Sequence, residues 1–365
     1  MIAIIVGTKA ELIKCAPIML ELQKKKINYW FIHTGQHPLG ESCKKFGIKS
    51  PDYILSEEPE LSTKFWSKVS TTSFVWFFSM IFKIRKLIQK LKPSYVLYHG
   101  DTMSSAAAAI ATSKMLNFKK VWKNVHIEAG LRSGSILEPF PEELSRRICD
   151  KFSDILLAVS ERSKKNLENE NRKGKIIKVG NTIVDSAKMA YSLVKNKFKK
   201  PGYDYALINI HRHENLKSKN RMKAIVEILK HIKITALWPI HDNTKYFLEK
   251  YGLMNEIKKI TNIKIMPLVD YFTFIFLLAN SKYLVTDGGS IQEESLIFKK
   301  PCVILRKRTE RQEGLTTGIN FLTNLDIDYA KEIIKKIEND DLKVKNFKNP
   351  YGQPGVSKKI VSMLK

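Results

Sequence analysis

The chain has 365 residues, 44% of them hydrophobic and 27% charged, a balance typical of a globular protein. This length allows two domains of ordinary size, each with its own core. The formal net charge of +27 favours anionic ligands such as nucleotides, but no DNA- or RNA-binding motif accompanies it. We therefore expect no nucleic-acid partner.

Cysteine usage and hydropathy favour a cytoplasmic protein. Cys15, Cys43, Cys149 and Cys302 lie far apart without metal-ligand spacing, so reduced thiols and no metal site are expected. The N-terminal MIAIIVG enters a polar turn at once, unlike a signal peptide. The most apolar later run, residues 74–82, is too short to cross a bilayer, so no membrane insertion is expected. We interpret it as one face of a long helix, with a surface aromatic patch as the alternative.

Predicted strands and helices alternate along the whole chain. In the first half, strands are predicted over residues 2–6, 29–33, 95–98, 121–127, 154–159 and 175–179, with helices from about residue 10, over 65–92 and 104–116, and after Ser160. After a linker-like stretch, strands are predicted over 205–209, 236–240, 263–266, 283–286 and 301–305, with helices over 220–233 and 271–280. This alternation predicts the α/β class, with two doubly wound parallel-sheet halves and a ligand in the cleft between them.

Carboxylates cluster in residues 126–147. Glu128 follows a predicted buried strand, and Glu142 falls in the first turn of a helix that Pro139 and Pro141 introduce. The carboxyl ends of parallel strands form the edge where ligands bind, and two carboxylates that converge there can act as acid and base. Helix capping with surface salt bridges is the alternative interpretation.

Asp101, in the HGDT sequence, follows the preceding strand of the same half. It either joins Glu128 at this edge or only caps the next helix. After the first strand, Gly7 allows a tight turn into a helix whose amides, with Lys9 and Lys14, suit an anion. A plain turn with surface lysines explains the same residues. The P-loop and GxGxxG patterns are absent, so a bound dinucleotide is not supported.

Three motifs of the second half follow predicted strands. His211, in NIHRHEN, is placed to act as an acid or base near neutral pH. Gly288, Gly289 and Ser290 open a helix with a backbone anion site that suits a pyrophosphate. Glu294 lies one turn further, in reach of ribose hydroxyls. The basic loop 306–314 is either a phosphate contact or a solvated loop.

Taken in order, these motifs resemble one family, the non-hydrolysing UDP-N-acetylglucosamine 2-epimerases. The resemblance spans almost the whole chain through GTKAELIK (7–14), TGQH (34–37), HGDT (99–102), HIEAGLR (126–132), PFPEE (139–143), VGNTIVDS (179–186), HRHEN (211–215), TDGGSIQEE (286–294), RKRTERQEG (306–314) and NPYG (349–352). Each motif is short, but their order and spacing together are highly specific.

The resemblance implies two Rossmann-like domains in the GT-B arrangement, with the active site in the interdomain cleft. The N-terminal domain would cover 1–186, with a C-terminal helix over 356–365 packing back on it, and a UDP-binding domain would cover 187–355. The implied reaction interconverts UDP-GlcNAc and UDP-ManNAc. A base removes the proton on carbon 2 of the sugar, UDP leaves to give a 2-acetamidoglucal, and UDP re-adds after the proton returns on the other face. The UDP-sugar is the expected partner, with no cofactor, and a homodimer is expected.

The resemblance also implies roles for single residues. Asp101, Glu128 and Glu142 become the acid/base carboxylates, without assignment to a face of the sugar, and His211 becomes a further catalytic residue or phosphate contact. The implied substrate-binding residues are Lys9 and Lys14 at the phosphates, Gly288, Gly289 and Ser290 at the diphosphate, Glu294 at the ribose, Phe274 and Val269 at the uracil, and Arg311.

Gln36 and His37 are candidates for an allosteric site, because a second UDP-GlcNAc binds nearby as an activator in many bacterial members. Pro38 and Leu39 replace the arginine-containing continuation of those members, which argues against activation here. Lys9 stands where the family usually has arginine, and lysine cannot reproduce a bidentate guanidinium, so substrate preference is open.

The sequence alone leaves other activities open. An epimerase for UDP-2,3-diacetamido sugars and a hydrolysing epimerase that releases ManNAc and UDP would share these carboxylates. A GT-B glycosyltransferase would share the fold and the nucleotide end of the site, but three carboxylates around the sugar would be harder to explain.

Overall fold

The structure, a computed structural model, describes residues 1–35, 38–56, 69–135, 141–342 and 346–364. The chain divides into a first unit, Met1–Ser186 with Tyr351–Lys365, and a second unit, Ala187–Pro350. Each unit is built on its own parallel sheet. The predicted α/β class with two doubly wound parallel-sheet domains is confirmed.

Within the described residues, the sheet of the first unit has seven parallel strands. They are β1 (Ile2–Val6), β2 (Tyr29–His33), β3 (Tyr53–Ile54), β4 (Tyr95–His99), β5 (Lys123–Ala129), β6 (Ile155–Ala158) and β7 (Lys175–Lys178). Their order across the sheet is β3-β2-β1-β4-β5-β6-β7. The strand order reverses between β1 and β4, and this is the position where open α/β sheets bind ligands.

The helices of the first unit connect these strands. They are α1 (Lys9–Lys24), α2 (Gly40–Phe46), α3 (Val69–Leu91), α4 (Met103–Thr112), α5 (Glu142–Phe152), α6 (Glu161–Asn169) and α7 (Ile183–Val194), which continues into the second unit. Ser160 caps α6 as predicted, through a hydrogen bond from Ser163 N. The predicted helix 104–116 is shorter than expected. It ends at Thr112 because Ser113 leaves the helical conformation and the Asn117 amide donates to the carbonyls of Ala111 and Ser113.

The second unit has six parallel strands within the described residues. They are β8 (Tyr205–Asn209), β9 (Thr235–Pro239), β10 (Ile263–Met266), β11 (Tyr283–Thr286), β12 (Cys302–Ile304) and β13 (Asn320–Leu322), in the order β10-β9-β8-β11-β12-β13. The strand order reverses between β8 and β11. This position is the switch point of the second sheet, and the loops after β8 and β11 lie on either side of it.

The helices of the second unit lie between its strands, and one more helix follows in the first unit. They are α8 (His213–Leu216), α9 (Lys219–Leu229), α10 (Asp242–Lys250), α11 (Met254–Lys258), α12 (Tyr271–Asn280), α13 (Gly289–Ile297), α14 (Gln312–Leu315) and α15 (Ile327–Glu338), and then α16 (Val356–Met363). Helix α16 packs against α1. The Asp185 carboxylate accepts the amides of Gly355 and Ser357 at 2.6 and 2.7 Å, which fixes the start of α16.

The apolar run at residues 74–82 lies on α3 and covers more than one face of that helix. Met80 and Ile81 are buried in the core of the first unit, whereas Phe74, Phe78 and Phe82 are 65%, 57% and 67% exposed. The prediction that the run belongs to a long helix is confirmed. The alternative, a surface aromatic patch, also holds, because the solvent-facing positions of the run carry apolar side chains. Among the described residues, no helix combines the length and apolar character needed to cross a bilayer.

Candidate active site

Glu128 lies near the end of β5 in a left-handed backbone conformation, with φ of 71°. The pairing of β5 with β6 shifts register between Ile127 and Ala129, a bulge that redirects the side chain. A non-glycine residue in this conformation is uncommon and persists where its surroundings fix it. The Glu128 side chain is buried, and its Oε2 contacts Lys14 Nζ and accepts from Asn181 Nδ2 at 2.8 Å.

Asp101 lies in the turn that follows the neighbouring strand β4. Its carboxylate forms an ion pair with the buried guanidinium of Arg146, and 25% of its side chain stays exposed. Thr102 is the residue that caps α4, through a hydrogen bond from Ser105 N at 3.1 Å. The alternative interpretation of Asp101 as the helix cap is therefore wrong. Since β4 pairs with β5, Asp101 just after β4 and Glu128 near the end of β5 lie at the same edge of the sheet.

A buried histidine supports the turn that carries Asp101. His126 Nδ1 lies 2.7 Å from Asp150 Oδ1, and its Nε2 lies 2.8 Å from the Gly100 carbonyl oxygen. The ring therefore bridges the Asp150 carboxylate and the main chain of the turn. Burial alone would raise the pKa of Asp150, but His126 and Arg132 outweigh it and lower that pKa. This arrangement holds the turn between β4 and α4 in place.

The amides at the start of α1 are occupied from within the chain. Glu11 Oε2 accepts from the amides of Gly7 and Thr8 at 2.7 and 2.8 Å, and its other oxygen accepts from the hydroxyls of Thr102 and Ser105. Burial raises the pKa of Glu11 despite these donors. The Glu11 carboxylate therefore already accepts from the amides of Gly7 and Thr8, the two residues before α1, and an anion at this turn would have to use other donors.

The other predicted residues of the first unit that the structure describes lie on α1 and α5. Lys9 is the exposed first residue of α1, whereas Lys14 is buried against Glu128. Glu142 is the partly buried first residue of α5, as predicted, in the turn where the helix dipole favours negative charge. Gln36 and His37 lie outside the described residues, so the candidate allosteric site stays a prediction.

In the second unit, close approach explains the two glycines after β11. A Cβ atom on Gly289 would lie 3.0–3.1 Å from Glu310, Arg212 and Arg311 side-chain atoms, and one on Gly288 would lie 2.8 Å from Ile291 Cδ1. Gly288 is the N-cap of α13 with a φ of −68°, so its backbone conformation does not require glycine. Arg212 and Arg311 therefore reach the first turn of α13, where the helix dipole has its positive end. Both features favour an anionic group there.

The guanidinium groups beside α13 are held by a buried carboxylate. Glu310 contacts Arg311 Nη1, accepts from Arg306 Nη1 at 3.1 Å, and lies 3.8 Å from Arg212 Nη2. Arg311 Nε is also 3.6 Å from Glu293. Carboxylates in these positions fix the planes of the guanidiniums, as bidentate recognition of a phosphate requires.

His211 follows β8, beside the same glycines. Its ring stacks on His241 at 4.8 Å between centroids, and its Nδ1 lies 2.8 Å from Asn209 Oδ1. Burial, with the positive charge of Arg212 as a smaller cause, lowers the pKa of His211 to about 4. The ring is therefore neutral at pH 7. With Nδ1 donating to the amide oxygen, Nε2 carries the lone pair and can accept a proton.

Asp287 holds the His211 loop against the glycine turn. Its carboxylate accepts from the main-chain amides of His211 and Arg212 at 2.9 and 3.1 Å and from Asn215 Nδ2 at 3.0 Å. Burial raises the pKa of Asp287 despite these three donors. The loops after β8 and β11 therefore form one hydrogen-bonded surface at the switch point of the second sheet.

The predicted nucleoside-binding residues lie on α12 and α13 or beside them. Glu294 is buried on α13 next to Tyr271, whose pKa is raised well above its usual value by burial and then by this carboxylate. Ser290 is the half-buried second residue of α13. Phe274 on α12 packs against the apolar cluster under the sheet, and Val269 is half-buried just before that helix.

Several residues at the two edges were not singled out from the sequence. In the first unit they are Asn181, Glu11 and the His126–Asp150 pair, and in the second unit they are Arg306, Glu310 and Asp287. Three of them, Asn181, Asp287 and Arg306, could have been identified by their position in the sequence, because each follows a strand. Within the described ranges, no group of three or more histidine, cysteine or carboxylate side chains is arranged to hold a metal ion.

Comparison with known proteins identifies the family. The sequence profile of the family described as UDP-N-acetylglucosamine 2-epimerase matches residues 20–365. The UDP-N-acetylglucosamine 2-epimerase of Methanocaldococcus jannaschii is 35% identical over 380 aligned positions, covering 100% of this chain and 98% of the relative. A crystal structure of the enzyme from that organism in complex with UDP-GlcNAc and UDP superposes with a TM-score of 0.83 at 34% identity, covering 100% of this chain and 99% of the other. The UDP-2,3-diacetamido-2,3-dideoxy-D-glucuronate 2-epimerase of Pseudomonas aeruginosa is 31% identical over 92% of this chain and 93% of its own length. The chain therefore belongs to the UDP-N-acetylglucosamine 2-epimerase family.

Proposed function

We propose that this protein interconverts UDP-GlcNAc and UDP-ManNAc. Family membership supports this activity, and the observation that carries it is the pair of carboxylates, Asp101 and Glu128, after adjacent strands of the first sheet. Two such groups in different surroundings can divide acid and base roles between them. Glu128 is buried and contacts a lysine, whereas Asp101 is partly exposed and paired with an arginine.

The reaction assigned to these groups is an elimination followed by an addition. One carboxylate takes the proton from carbon 2, the electron pair of that bond forms the double bond between carbons 1 and 2, and UDP leaves with the electrons of the bond to carbon 1. A second carboxylate returns a proton to carbon 2 on the opposite face, and UDP re-adds at carbon 1. Asp101 and Glu128 are the proposed pair, with Glu142 as the third candidate.

The second unit supplies the proposed UDP site. The diphosphate binds at the first turn of α13. The main-chain amides of Gly288, Gly289 and Ser290 and the guanidinium of Arg311 are the groups assigned to it. His211, neutral and with Nε2 unprotonated, is proposed to accept a proton or hydrogen bond from the substrate there. The nucleoside contacts are assigned to Glu294 at the ribose and to Phe274 and Val269 at the uracil.

The two lysines of the first unit are assigned different roles. Lys14 holds Glu128, because its Nζ contacts that carboxylate and both groups are buried. Lys9 lies exposed at the start of α1 and is the lysine assigned to the phosphates. A lysine is a point charge on a flexible stem, so this contact is less directional than an arginine contact would be.

Replacing Glu294 by alanine is expected to weaken UDP binding roughly tenfold or more, because a hydrogen bond to a charged group contributes about 1.5–3 kcal/mol. Isothermal calorimetry with UDP measures this. Glu294→Gln keeps the volume of the buried side chain and separates loss of the charge from loss of packing. Glu256→Ala, which removes a surface carboxylate paired with Lys230, is the control and should leave the affinity unchanged. Unchanged affinity in Glu294→Ala would remove Glu294 from the ribose site.

We also propose that the protein is a cytoplasmic homodimer that pairs through the apolar stripe of α3, defined by Phe74, Phe78 and Phe82. All four cysteines are buried free thiols, as expected in a reducing compartment. The stripe is exposed and residues 74–82 carry no charge, so two copies related by a twofold axis can bury these aromatic side chains against each other.

Phe78→Glu is expected to convert the dimer to a monomer, because it places two carboxylates against each other at the centre of the proposed contact. Light scattering coupled to gel filtration gives the mass. Tyr246→Glu, which changes a similarly exposed aromatic residue of the second unit, should leave the mass unchanged. A monomeric wild-type protein, or a dimeric Phe78→Glu variant, would contradict this interface.

The experiment that tests the activity is proton NMR of the purified protein with UDP-GlcNAc in deuterated water. UDP-ManNAc with deuterium at carbon 2 is the expected product. Free ManNAc with UDP would instead identify a hydrolysing enzyme. No turnover with saturable UDP binding would favour a different sugar or a glycosyltransferase. The Pseudomonas relative makes UDP-2,3-diacetamido sugars the second candidate substrates, so the same experiment is repeated with them.

A further inference from the structure

The motif at residues 179–186 contributes a side chain to the carboxylate edge of the first unit. Asn181 lies in the turn after β7 and is 1% exposed. Its Nδ2 donates to Glu128 Oε2 at 2.8 Å, across 53 residues of sequence. A buried amide that donates to a buried carboxylate favours the ionised form of that carboxylate.

The orientation of the Asn181 amide is fixed by its other contacts. Its Oδ1 accepts from Ile183 N at 3.0 Å, so the opposite end of the amide must be the NH₂ group that faces Glu128. Its main-chain amide donates to the Tyr351 carbonyl oxygen at 2.9 Å. Tyr351 is itself fully buried, at the point where the chain returns to the first unit. Asn181 is therefore held at both its backbone and its side chain.

Glu128 has two donors of different kinds on the same oxygen. Lys14 supplies charge, but an ammonium on a flexible stem restrains direction weakly. Asn181 supplies a donor anchored to two backbone groups, which restrains the position of Oε2. The other oxygen, Oε1, is then the one that faces Gly100, next to Asp101.

We propose that Asn181 is a positioning residue for proton transfer by Glu128, holding Oε2 so that Oε1 is presented toward the turn that carries Asp101. The inference rests on the proposed function, in which Glu128 exchanges a proton with carbon 2 of the sugar. Misplacing a reacting group by about 1 Å can lower a rate by up to roughly a hundredfold. The donor of Asn181 therefore acts on the chemical step and not on nucleotide binding.

The test uses Asn181→Asp and Asn181→Ala in the full chain. Asn181→Asp keeps the volume and the acceptor for Ile183 N but replaces the donor by a carboxylate that repels Glu128. Asn181→Ala removes the donor without adding a charge, so a fall in kcat that both variants share reports the loss of the donor. We expect kcat to fall about tenfold to a hundredfold in both variants. We also expect KM within about twofold of the wild type and unchanged UDP affinity, because the UDP contacts are assigned to other residues. The deuterium isotope effect on kcat, with substrate deuterated at carbon 2, should rise as proton transfer becomes slower.

Asn117→Ala is the matched control. It also removes a buried asparagine amide of the first unit, one that donates to the carbonyls of Ala111 and Ser113. It should lower thermal stability without raising the isotope effect. Wild-type kcat in Asn181→Asp, or a lowered kcat with an unchanged isotope effect, would overturn the inference. If the wild-type protein itself exchanges no proton at carbon 2 while it binds UDP, the proposed function fails first, which is a different result.

Discussion

The Glu128→Gln variant is expected to lose about a hundredfold or more of the epimerisation rate, because a neutral amide can neither take nor return the proton on carbon 2. Glutamine preserves the size of the side chain, and its oxygen can still accept from Asn181 Nδ2. UDP affinity should be unchanged, since no UDP contact is assigned to Glu128. Initial rates in the NMR assay and calorimetry with UDP measure the two quantities separately.

Two checks make the Glu128 result specific. The substitution leaves Lys14 buried without a carboxylate, so thermal melting must show that the variant is folded at the assay temperature. Glu170→Gln removes a different carboxylate of the first unit, one paired with Arg132 and Arg172, and should keep near-normal activity. Near-normal turnover by a folded Glu128→Gln protein would exclude Glu128 from the chemistry.

The Asp101→Asn variant is expected to show a loss of similar size, about a hundredfold or more, because Asp101 is the second proposed acid/base group. Asparagine can still accept from Arg146 through its amide oxygen, so the turn between β4 and α4 should keep its place. The measurement is again the rate of conversion, now started from each of the two sugars in turn. Deuterium incorporation at carbon 2 is followed in the same samples.

Comparing the two variants assigns each carboxylate to a face of the sugar. If Asp101 and Glu128 serve opposite faces, each variant should retain exchange at carbon 2 in only one of the two UDP-sugars, and not the same one. Asp154→Asn is the control, since Asp154 is paired with Lys120 and precedes β6, at the opposite end of the strands. Full activity of Asp101→Asn would leave Glu142 as the remaining candidate partner of Glu128.

Part of the candidate site could be predicted from the sequence, because the ends of strands can be predicted from it. In a parallel sheet, polar residues directly after apolar runs collect at one edge, and this rule singled out Asp101, Glu128, His211 and the glycine turn. The same rule says nothing about which side chains touch.

Contacts between distant residues explain what the sequence rules missed. The sequence did not predict that Lys14 contacts Glu128, which is 114 residues away. Glu11 was not singled out, yet its carboxylate accepts from the amides of Gly7 and Thr8 before α1 and from two hydroxyls after β4. Both outcomes depend on β1 and β4 being neighbours in the sheet, and strand order is not encoded in local periodicity.

The sequence by itself determined the α/β class, the positions of most strands and helices, and the family. Apolar periodicity and capping residues act within a few residues, and family motifs are patterns of short segments in order. The tertiary structure decided the left-handed conformation of Glu128, the amide of Asn181 that holds it, and the face of α3 that remains exposed. The physical reason is that a hydrogen bond or a buried face requires a partner, and that partner is selected by the folding of the whole sheet.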